Sequence, residues 1–244
     1  MRGCLAIYYR ELLILKKKFF RQIASMAVAP TLYLVAFGLG MGRHVQVHGH
    51  SYLQFLIPGL VAMNSMTQAF AIASEINITR FYWRIFEEFQ AAPIRNIAYV
   101  TGEVLAGITR ALLSVGVILL LALAFGVVLS YNLWFWLAIV LNSFVFASLA
   151  VCLAMLVKSH ADQALLTNFF ITPMAFLGGT FFPVEQMPPW AQQALHFLPL
   201  THAARAIRTA SFGAEPKLFS YLLLGGIGAV LFVLAFYCVN RAKD

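Results

Sequence analysis

Two long apolar regions are separated by a stretch that resembles neither: Asn77-Ile-Thr-Arg80-Phe-Tyr-Trp-Arg84-Ile-Phe-Glu87-Glu88-Phe-Gln-Ala-Ala-Pro93. Its aromatic and aliphatic residues Phe81, Ile85 and Phe89 recur at helical spacing, and the charged residues between them lie on other faces. This pattern predicts a short amphipathic helix. Pro93 cannot continue a helix and disfavours it at the preceding residue, so we expect the helix to end near Gln90.

A short, arginine-containing helix between two membrane spans is typical of a docking element for a partner protein. The alternative is a solvated loop helix that packs its apolar side on the membrane, and the residues alone leave both interpretations open. The residues that we assign to docking are Arg80, Phe81, Arg84, Ile85, Glu87, Glu88 and Phe89.

Composition identifies the class of protein. Of 244 residues, 61% are hydrophobic and 11% are charged, and the mean hydropathy is +0.82. Soluble domains carry about a quarter charged residues, so the chain is predicted to be an integral membrane protein. The net charge of +8 reflects Lys and Arg between apolar segments, which is not a nucleic-acid signal. Three scattered cysteines, Cys4, Cys152 and Cys238, argue against a disulfide framework.

The first half of the chain predicts an N-terminal interfacial helix and three spans. Residues 1–21 combine an apolar face with basic residues, a pattern typical of a helix that lies on a membrane surface. Residues 22–42, 52–74 and 103–129 are each long and apolar enough to span a bilayer.

The second half predicts three further spans and a hairpin. The fourth and fifth spans are residues 133–157 and 164–182, and the sixth is 218–239. Prolines divide residues 183–216 into short helical segments, which we interpret as an outer re-entrant helical hairpin between spans five and six.

The distribution of positive residues predicts the orientation. Twelve Lys and Arg residues flank the spans on one side, and four lie on the other: Arg43, Arg205, Arg208 and Lys217. The positive-inside rule therefore places both termini in the cytoplasm. We predict an all-α membrane protein with a single permease domain over 1–244, in which 22–182 hold spans one to five and 217–244 hold span six with a cytoplasmic tail.

Several strings resemble the type-2 permeases of ABC exporters. Phe55-Leu-Ile-Pro58-Gly59-Leu-Val resembles the opening of that family's second span, and Phe89-Gln-Ala-Ala-Pro93-Ile resembles the exit from its coupling helix. Its C-terminal signature is similar to Leu177-Gly-Gly-Thr-Phe-Phe-Pro183, Met187-Pro-Pro-Trp190 and Phe197-Leu-Pro-Leu-Thr-His202. One departure is Leu198, where many relatives carry Asn. The subgroup that the chain resembles most contains nodulation lipo-oligosaccharide export permeases and related drug and glycolipid exporters.

The resemblance implies a homodimer of this chain with two cytoplasmic ATP-binding cassette ATPases in a bacterial inner membrane. ATP and Mg would bind to the ATPases, and the helix between spans two and three would be the cytoplasmic coupling helix. The sequence itself has no G-x-x-x-x-G-K-[ST] phosphate loop, so we expect the motor to be another chain. Membrane lipids are the other expected partner, and no cofactor is expected on this chain.

The most metal-like group in the sequence is His44, His48 and His50. Histidine triads do bind zinc, but no Cys, Asp or Glu lies near these three. Polar loop residues are the better interpretation, and we predict neither a metal site nor a catalytic site.

Glu75, Glu103 and Arg110 are ionisable residues near or within the predicted spans of the first half. Charged groups in a membrane are functional candidates, yet a structural pair of Glu103 with Arg110 at the inner end of the third span is the better interpretation. Nothing in the sequence predicts a midplane chain of Asp, Glu and His of the kind used in proton-coupled transport.

Candidate contacts with substrate or lipid form two groups. On the hairpin, His202, Arg205 and Arg208 share a helix face that an anionic headgroup would meet, although anchoring to lipid phosphates explains them equally well. In the spans, a set of flexible or aromatic apolar side chains could line a path for the substrate, and ordinary helix packing is the alternative interpretation. These residues are Phe55, Met63, Met66, Phe70, Phe170 and Met174.

The sequence therefore predicts the membrane-spanning permease subunit of an ATP-driven exporter of an amphiphile: a lipo-oligosaccharide, a glycolipid or a hydrophobic drug. The alternative is a self-sufficient secondary transporter of a hydrophobic solute, which the absence of an evident inverted repeat of broken helices disfavours. An intramembrane enzyme is disfavoured because no convergent set of nucleophile, base or metal ligands is evident.

Overall fold

The computed structural model describes residues 2–40, 46–47, 49–83, 85–91, 94–157 and 159–242, and most of them are helical. Within these ranges, five helices are long and apolar enough to cross a membrane: Phe19–Gly38, Tyr52–Tyr82, Asn96–Ala124, Leu133–Leu156 and Leu218–Arg241. The fold is therefore that of a helical, multi-pass membrane protein, as predicted.

The chain begins with α1 (Arg2–Lys17), followed by α2 (Phe19–Tyr33), which continues as a π-helix over Leu34–Leu39. The first span thus starts three residues before its predicted start at residue 22. Two short antiparallel strands follow, β1 (Gln46–Val47) and β2 (His50–Ser51).

The second span is longer than predicted. Helix α3 (Tyr52–Phe70) continues through α4 (Ile72–Asn77) and a π-helix (Ile78–Tyr82), so the predicted end at residue 74 is wrong by eight residues. Ser51 caps the start: its hydroxyl accepts a hydrogen bond from the Gln54 amide at 3.3 Å, and the Gln54 side chain accepts one from the Ser51 amide at 3.0 Å.

The predicted coupling helix is therefore divided between two elements. Helix α5 (Ile85–Ala91) ends one residue beyond the predicted end, but Arg80 and Phe81 belong to the end of the second span. Helices α6 (Asn96–Ala124) and α7 (Leu133–Leu156) then supply the third and fourth predicted spans.

The predicted fifth span is not among the five membrane-length apolar helices. Its counterpart is a continuous helix made of α8 (His160–Leu166), a π-helix (Thr167–Ile171) and α9 (Thr172–Leu177). Its first turn holds His160, Asp162 and Gln163, and these polar residues lower its apolar character.

The hairpin region contains a 3₁₀ turn (Val184–Gln186), α10 (Pro189–His196) and α11 (Pro199–Ser211) before α12 (Leu218–Arg241). Helices α10 and α11 both begin at a proline, whose missing N–H and fixed φ suit the first helical position. The predicted division of this region by prolines is thus confirmed.

Helix α3 lies in the middle of the bundle, where it contacts α6, α7 and α11, and α7 also packs along α12. A buried polar contact joins α7 to α3, because the Asn142 amide donates to the Ser65 hydroxyl at 2.8 Å and to the Ala62 carbonyl at 3.1 Å. We call the end of the bundle that carries α5 the α5 end and the opposite end the α11 end.

Candidate functional site

Helix α5 is fixed to the bundle by two phenylalanines. Phe86 is 3% exposed, and its ring meets the Tyr99 ring edge-on at 5.6 Å, at the start of α6. Phe89 lies 5.7 Å from the same Tyr99 ring. Aromatic pairs of this kind add about 0.5–1.5 kcal/mol beyond the burial of their area. One face of α5 is therefore anchored to the third span.

The predicted docking residues divide between inward and outward positions. Arg80 points inward and donates hydrogen bonds to the Ala154 and Met155 carbonyls, at 3.2 and 3.0 Å. Its guanidinium also lies over the rings of Phe81 and Phe86, at 5.2 and 5.8 Å from their centroids. Of this predicted set, only Glu88 is exposed among the side chains that the structure describes. Arg84 and the side chain of Glu87 lie outside the described part.

Two large exposed side chains at this end were not predicted as docking residues. Tyr82 is 73% exposed and Trp83 is 57% exposed, immediately before α5. Both are aromatic neighbours of the charged residues in the sequence, and interface anchors are enriched in Tyr and Trp. This enrichment could have identified both residues as docking candidates from the sequence.

A buried charge cluster lies next to α5. The Arg110 guanidinium, 2% exposed, donates to Glu75 Oε1 at 2.7 Å and forms a second, short contact with Glu75 Oε2. Its Nη2 is 3.4 Å from Glu11 Oε2 on α1. Arg110 thus holds together α1, the second span and the third span.

The predicted pair of Glu103 with Arg110 is wrong. Arg110 pairs with Glu75 and Glu11, whereas Glu103 lies 3.9 Å from Arg10 Nη1. The spacing of Glu103 and Arg110 along one helix did not determine the partner of Arg110, because α1 and the second span bring other carboxylates closer to its guanidinium. Glu11 is buried at 4% exposed and was not predicted as part of any site.

Arg10 connects the cluster to α5. Its Nη1 is 3.4 Å from Glu11 Oε1, its Nη2 donates to the Thr79 hydroxyl at 3.4 Å, and its guanidinium lies 5.0 Å from the Phe89 ring centroid. Such cation–π contacts stabilise by about 0.5–2 kcal/mol, depending on desolvation. A displacement of α5 would therefore act directly on the charge cluster.

The electrostatics of the cluster disfavour ionisation of all three of its carboxyl groups at once. Burial raises the pKa of the Glu11 carboxyl, and the neighbouring Glu75 raises it further, while Arg10 and Arg110 lower it. Three carboxylates share two arginines here, so the balance of charge is sensitive to small movements of α1.

A groove of about 360 Å³ lies between α2, α3 and the helix over residues 160–177. Two predicted substrate contacts, Met63 and Phe70, line it. It is amphipathic, because Asn64, Thr67 and Gln68 also line it. Of the other predicted contacts in the spans, Met66 is wholly buried in the core, Phe170 is 64% exposed elsewhere, and Met174 is half-buried against the core.

A second cavity, of about 510 Å³, opens at the α11 end. Three predicted contact residues line it: Phe55, Arg205 and Arg208. His202 does not, because it is buried and its Nε2 hydrogen-bonds the His196 carbonyl at 2.8 Å. Burial lowers the pKa of His202, which favours the neutral ring.

No group of three or more His, Cys, Asp or Glu side chains suited to a metal occurs among the residues that the structure describes. Of the three histidines weighed in the sequence, His44 and His48 lie outside the described residues. His50 stacks on Phe212, with ring centroids 3.9 Å apart.

Comparison with known proteins places these features in a family context. The model of the family described as ABC-2 type transporter matches residues 2–212. The inner membrane transport permease YadH of Escherichia coli (strain K12) is 27% identical over 239 residues, which are 96% of this chain and 91% of that protein. Nodulation protein J of Sinorhizobium fredii is 31% identical over 209 residues, covering 84% of this chain and 80% of that protein. Nodulation protein J of Rhizobium leguminosarum bv. viciae is 32% identical over 219 residues, with 86% and 82% covered.

Proposed function

Because the chain belongs to the ABC-2 type transporter family, we propose that it is the membrane-spanning permease subunit of an ATP-driven exporter of an amphiphile. Its relatives include an inner membrane transport permease, which agrees with a multi-pass protein of that membrane. The proposed power source is a separate ATP-binding cassette ATPase, which would bind ATP and Mg.

The observation that carries this proposal is the two-sided environment of α5. One side is anchored through Phe86 to Tyr99, whereas Glu88 on the helix and Trp83 just before it are exposed. A short helix that is fixed inward and open outward suits the transfer of a push from a soluble partner to the spans. A displacement of α5 would be transmitted to the charge cluster by Arg10, through its contact with Phe89.

The amphipathic groove supports an amphiphilic substrate. Its polar residues Asn64, Thr67 and Gln68 face the same space as Met63 and Phe70. In the proposed assembly two copies of the chain enclose this space. Both termini and α5 are cytoplasmic, and α11 belongs to a re-entrant hairpin at the outer surface. The helix over residues 160–177 completes six spans.

The test is ATP-dependent lipid translocation in proteoliposomes. The chain is reconstituted with the ATP-binding cassette ATPases of the same genome, one at a time, and a fluorescent NBD-labelled glycolipid is the probe. We expect Mg-ATP to move the probe between leaflets with one of these ATPases, as measured by its protection from dithionite. EDTA and omission of the ATPase are the controls.

Two results would contradict the proposal. Probe movement that follows an ion gradient without ATP would favour the secondary transporter instead. A failure of every ATPase to bind the chain or to support translocation would remove the basis for an ATP-driven mechanism.

A further inference from the structure

The cavity at the α11 end has a volume of about 510 Å³ and lies among several elements of the fold. Its walls come from β2, the start of α3, the turn after α9, the 3₁₀ turn, and one face of α11 with the residues that follow it. Beside the cavity, α3 approaches the turn after α9 closely, because a Cβ added at Gly59 would lie 2.4 Å from the Thr180 carbonyl oxygen.

Arg208 brings a positive charge to this cavity, where the carboxylate of Glu185 also lies but is ion-paired with Arg205. Its guanidinium lies 3.8 Å from the Phe55 ring centroid, and its Nη2 donates to the Gly179 carbonyl at 2.8 Å. Gly179 has φ of 83°, a backbone conformation that glycine adopts easily, and this turns its carbonyl toward the arginine. Within the described part of the chain, Arg208 forms no ion pair.

Thr201 brings a hydroxyl for which the described residues supply no hydrogen-bond partner. The residue is 2% exposed and lines the cavity, and its Oγ1 makes no hydrogen bond. A buried hydroxyl without a partner is unfavourable, and in native proteins such groups call for an explanation such as a ligand or an ordered water. The hydroxyl is a donor that an oxyanion in the cavity would satisfy after a rotation of the Thr201 side chain, because Oγ1 itself is covered.

Arg205 supplies a second cation whose present partner is exchangeable. Its Nη2 is 3.2 Å from Glu185 Oε1, and both side chains are substantially exposed. Exposed pairs of this kind contribute about 0–1 kcal/mol, so an incoming anion can replace the carboxylate at little cost. Apolar surface is available beside the charges, because the Phe55 and Phe212 rings also line the cavity.

From these observations we propose that the cavity binds the phosphate-type headgroup of an amphiphile. Arg208 and Thr201 donate hydrogen bonds to the headgroup oxygens, Arg205 exchanges Glu185 for the headgroup, and the phenylalanine rings contact the first apolar carbons. This inference rests on the proposed function and narrows its substrate class to amphiphiles with an anionic headgroup.

The experiment measures lipid binding to the full chain, purified in a neutral detergent. Native mass spectrometry follows retention of phosphatidylglycerol, with phosphatidylcholine and inorganic phosphate as comparison probes. We expect phosphatidylglycerol to be retained more strongly than phosphatidylcholine, whose phosphate is neutralised by choline. We expect inorganic phosphate to compete only weakly, because it lacks the apolar part.

Two variants test the named donors. Arg208→Gln removes a charged donor, and we expect phosphatidylglycerol affinity to fall by about tenfold or more. Thr201→Val removes a hydroxyl at nearly constant shape, and we expect a fall of about threefold to tenfold with an unchanged or raised Tm, because the hydroxyl has no partner in the free protein. Lys217→Gln is the matched control, since it removes a positive charge at the same end but outside the cavity.

Three results would overturn the inference. One is equal retention of both lipids, and another is an affinity that Thr201→Val leaves unchanged while the protein stays folded. Binding of inorganic phosphate as tightly as phosphatidylglycerol would show that the apolar carbons of the ligand contribute nothing, which contradicts the proposal that the ligand is an amphiphile. None of these measurements needs an ATPase, so a failure here leaves the ATP-dependent translocation test to be decided separately.

Discussion

At the scale of single residues, Arg110 is the charge on which three helices depend. Replacing it with glutamine leaves Glu75 and Glu11 close together without their shared cation. Breaking a buried pair from one side costs about 3–5 kcal/mol, so we expect Arg110→Gln to lower the free energy of unfolding by that order. Thermal unfolding of the purified chain in detergent measures the loss.

The matched control for Arg110 is Arg205→Gln, which breaks the exposed pair with Glu185. Exposed pairs contribute about 0–1 kcal/mol, so this change should have little effect on stability. Glu75→Gln added to Arg110→Gln should recover part of the loss by removing one of the unpaired carboxylates. Equal effects of the two single arginine changes would contradict the buried cluster.

Glu11 should make stability depend on pH. Its pKa is raised in the folded protein, so the folded state binds a proton more readily than the unfolded state does. The contribution of Glu11 to stability is therefore greatest at acidic pH and falls as pH rises through the window between the ordinary and the raised pKa. We expect Glu11→Gln to gain stability relative to the wild type across that window, as measured by Tm against pH. A difference in Tm that does not change with pH would contradict this assignment.

At the scale of secondary-structure elements, the approach of α3 to the turn after α9 has a direct test. Gly59→Ala would place a methyl group 2.4 Å from the Thr180 carbonyl oxygen. Relieving such overpacking costs about 1–3 kcal/mol, and we expect Tm to fall accordingly.

Gly116→Ala provides the matched control for Gly59→Ala, because it makes the same change in α6 where an added Cβ meets nothing within 4 Å. Alanine is the better helix former, so this variant should be unchanged or more stable by about 0.5–1 kcal/mol. If both variants lost stability equally, the close approach of the two elements would be wrong.

The elements that the sequence predicted well are those set by local chemistry. Long apolar runs predicted six spans, of which five are membrane-length apolar helices in the described residues, and prolines predicted the starts of α10 and α11. The break before α5 was missed, because Phe81, Ile85 and Phe89 keep helical spacing across it. The fifth span was predicted to begin at residue 164, so its polar first turn with His160 and Asp162 lay outside the predicted span.

The parts of the site that the sequence could not predict depend on contacts between distant elements. Arg110 pairs with Glu75, 35 positions away, and Arg10 reaches Thr79, 69 positions away. The spacing Ile7, Glu11, Leu15 did mark one face of α1, but an acid on a buried face is unusual and was not assigned to a site. The cavity at the α11 end likewise combines residues from β2, α3 and α11.

At the scale of the whole molecule, the two ends of the bundle have different chemistry. The α5 end carries exposed Trp83 and Glu88 above a buried charge cluster, and the α11 end carries a cavity with arginines. Helix α3 and its continuation to Tyr82 join the two ends as one continuous helix. In the proposed mechanism a partner at the α5 end therefore acts on the α11 end through one rigid element.

We propose that the exposed side of α5 and the residues before it bind an ATPase. The most direct measurement is co-purification of the tagged chain with its ATPase under gentle extraction, comparing wild type with Trp83→Ala plus Glu88→Lys. Glu215→Lys is the control, because it reverses an exposed charge on the loop after α11, at the other end of the bundle. We expect wild type and Glu215→Lys to retain the ATPase and the double variant to lose it while staying folded. Retention of the ATPase by the double variant, or its absence from the wild type, would contradict docking of an ATPase at α5.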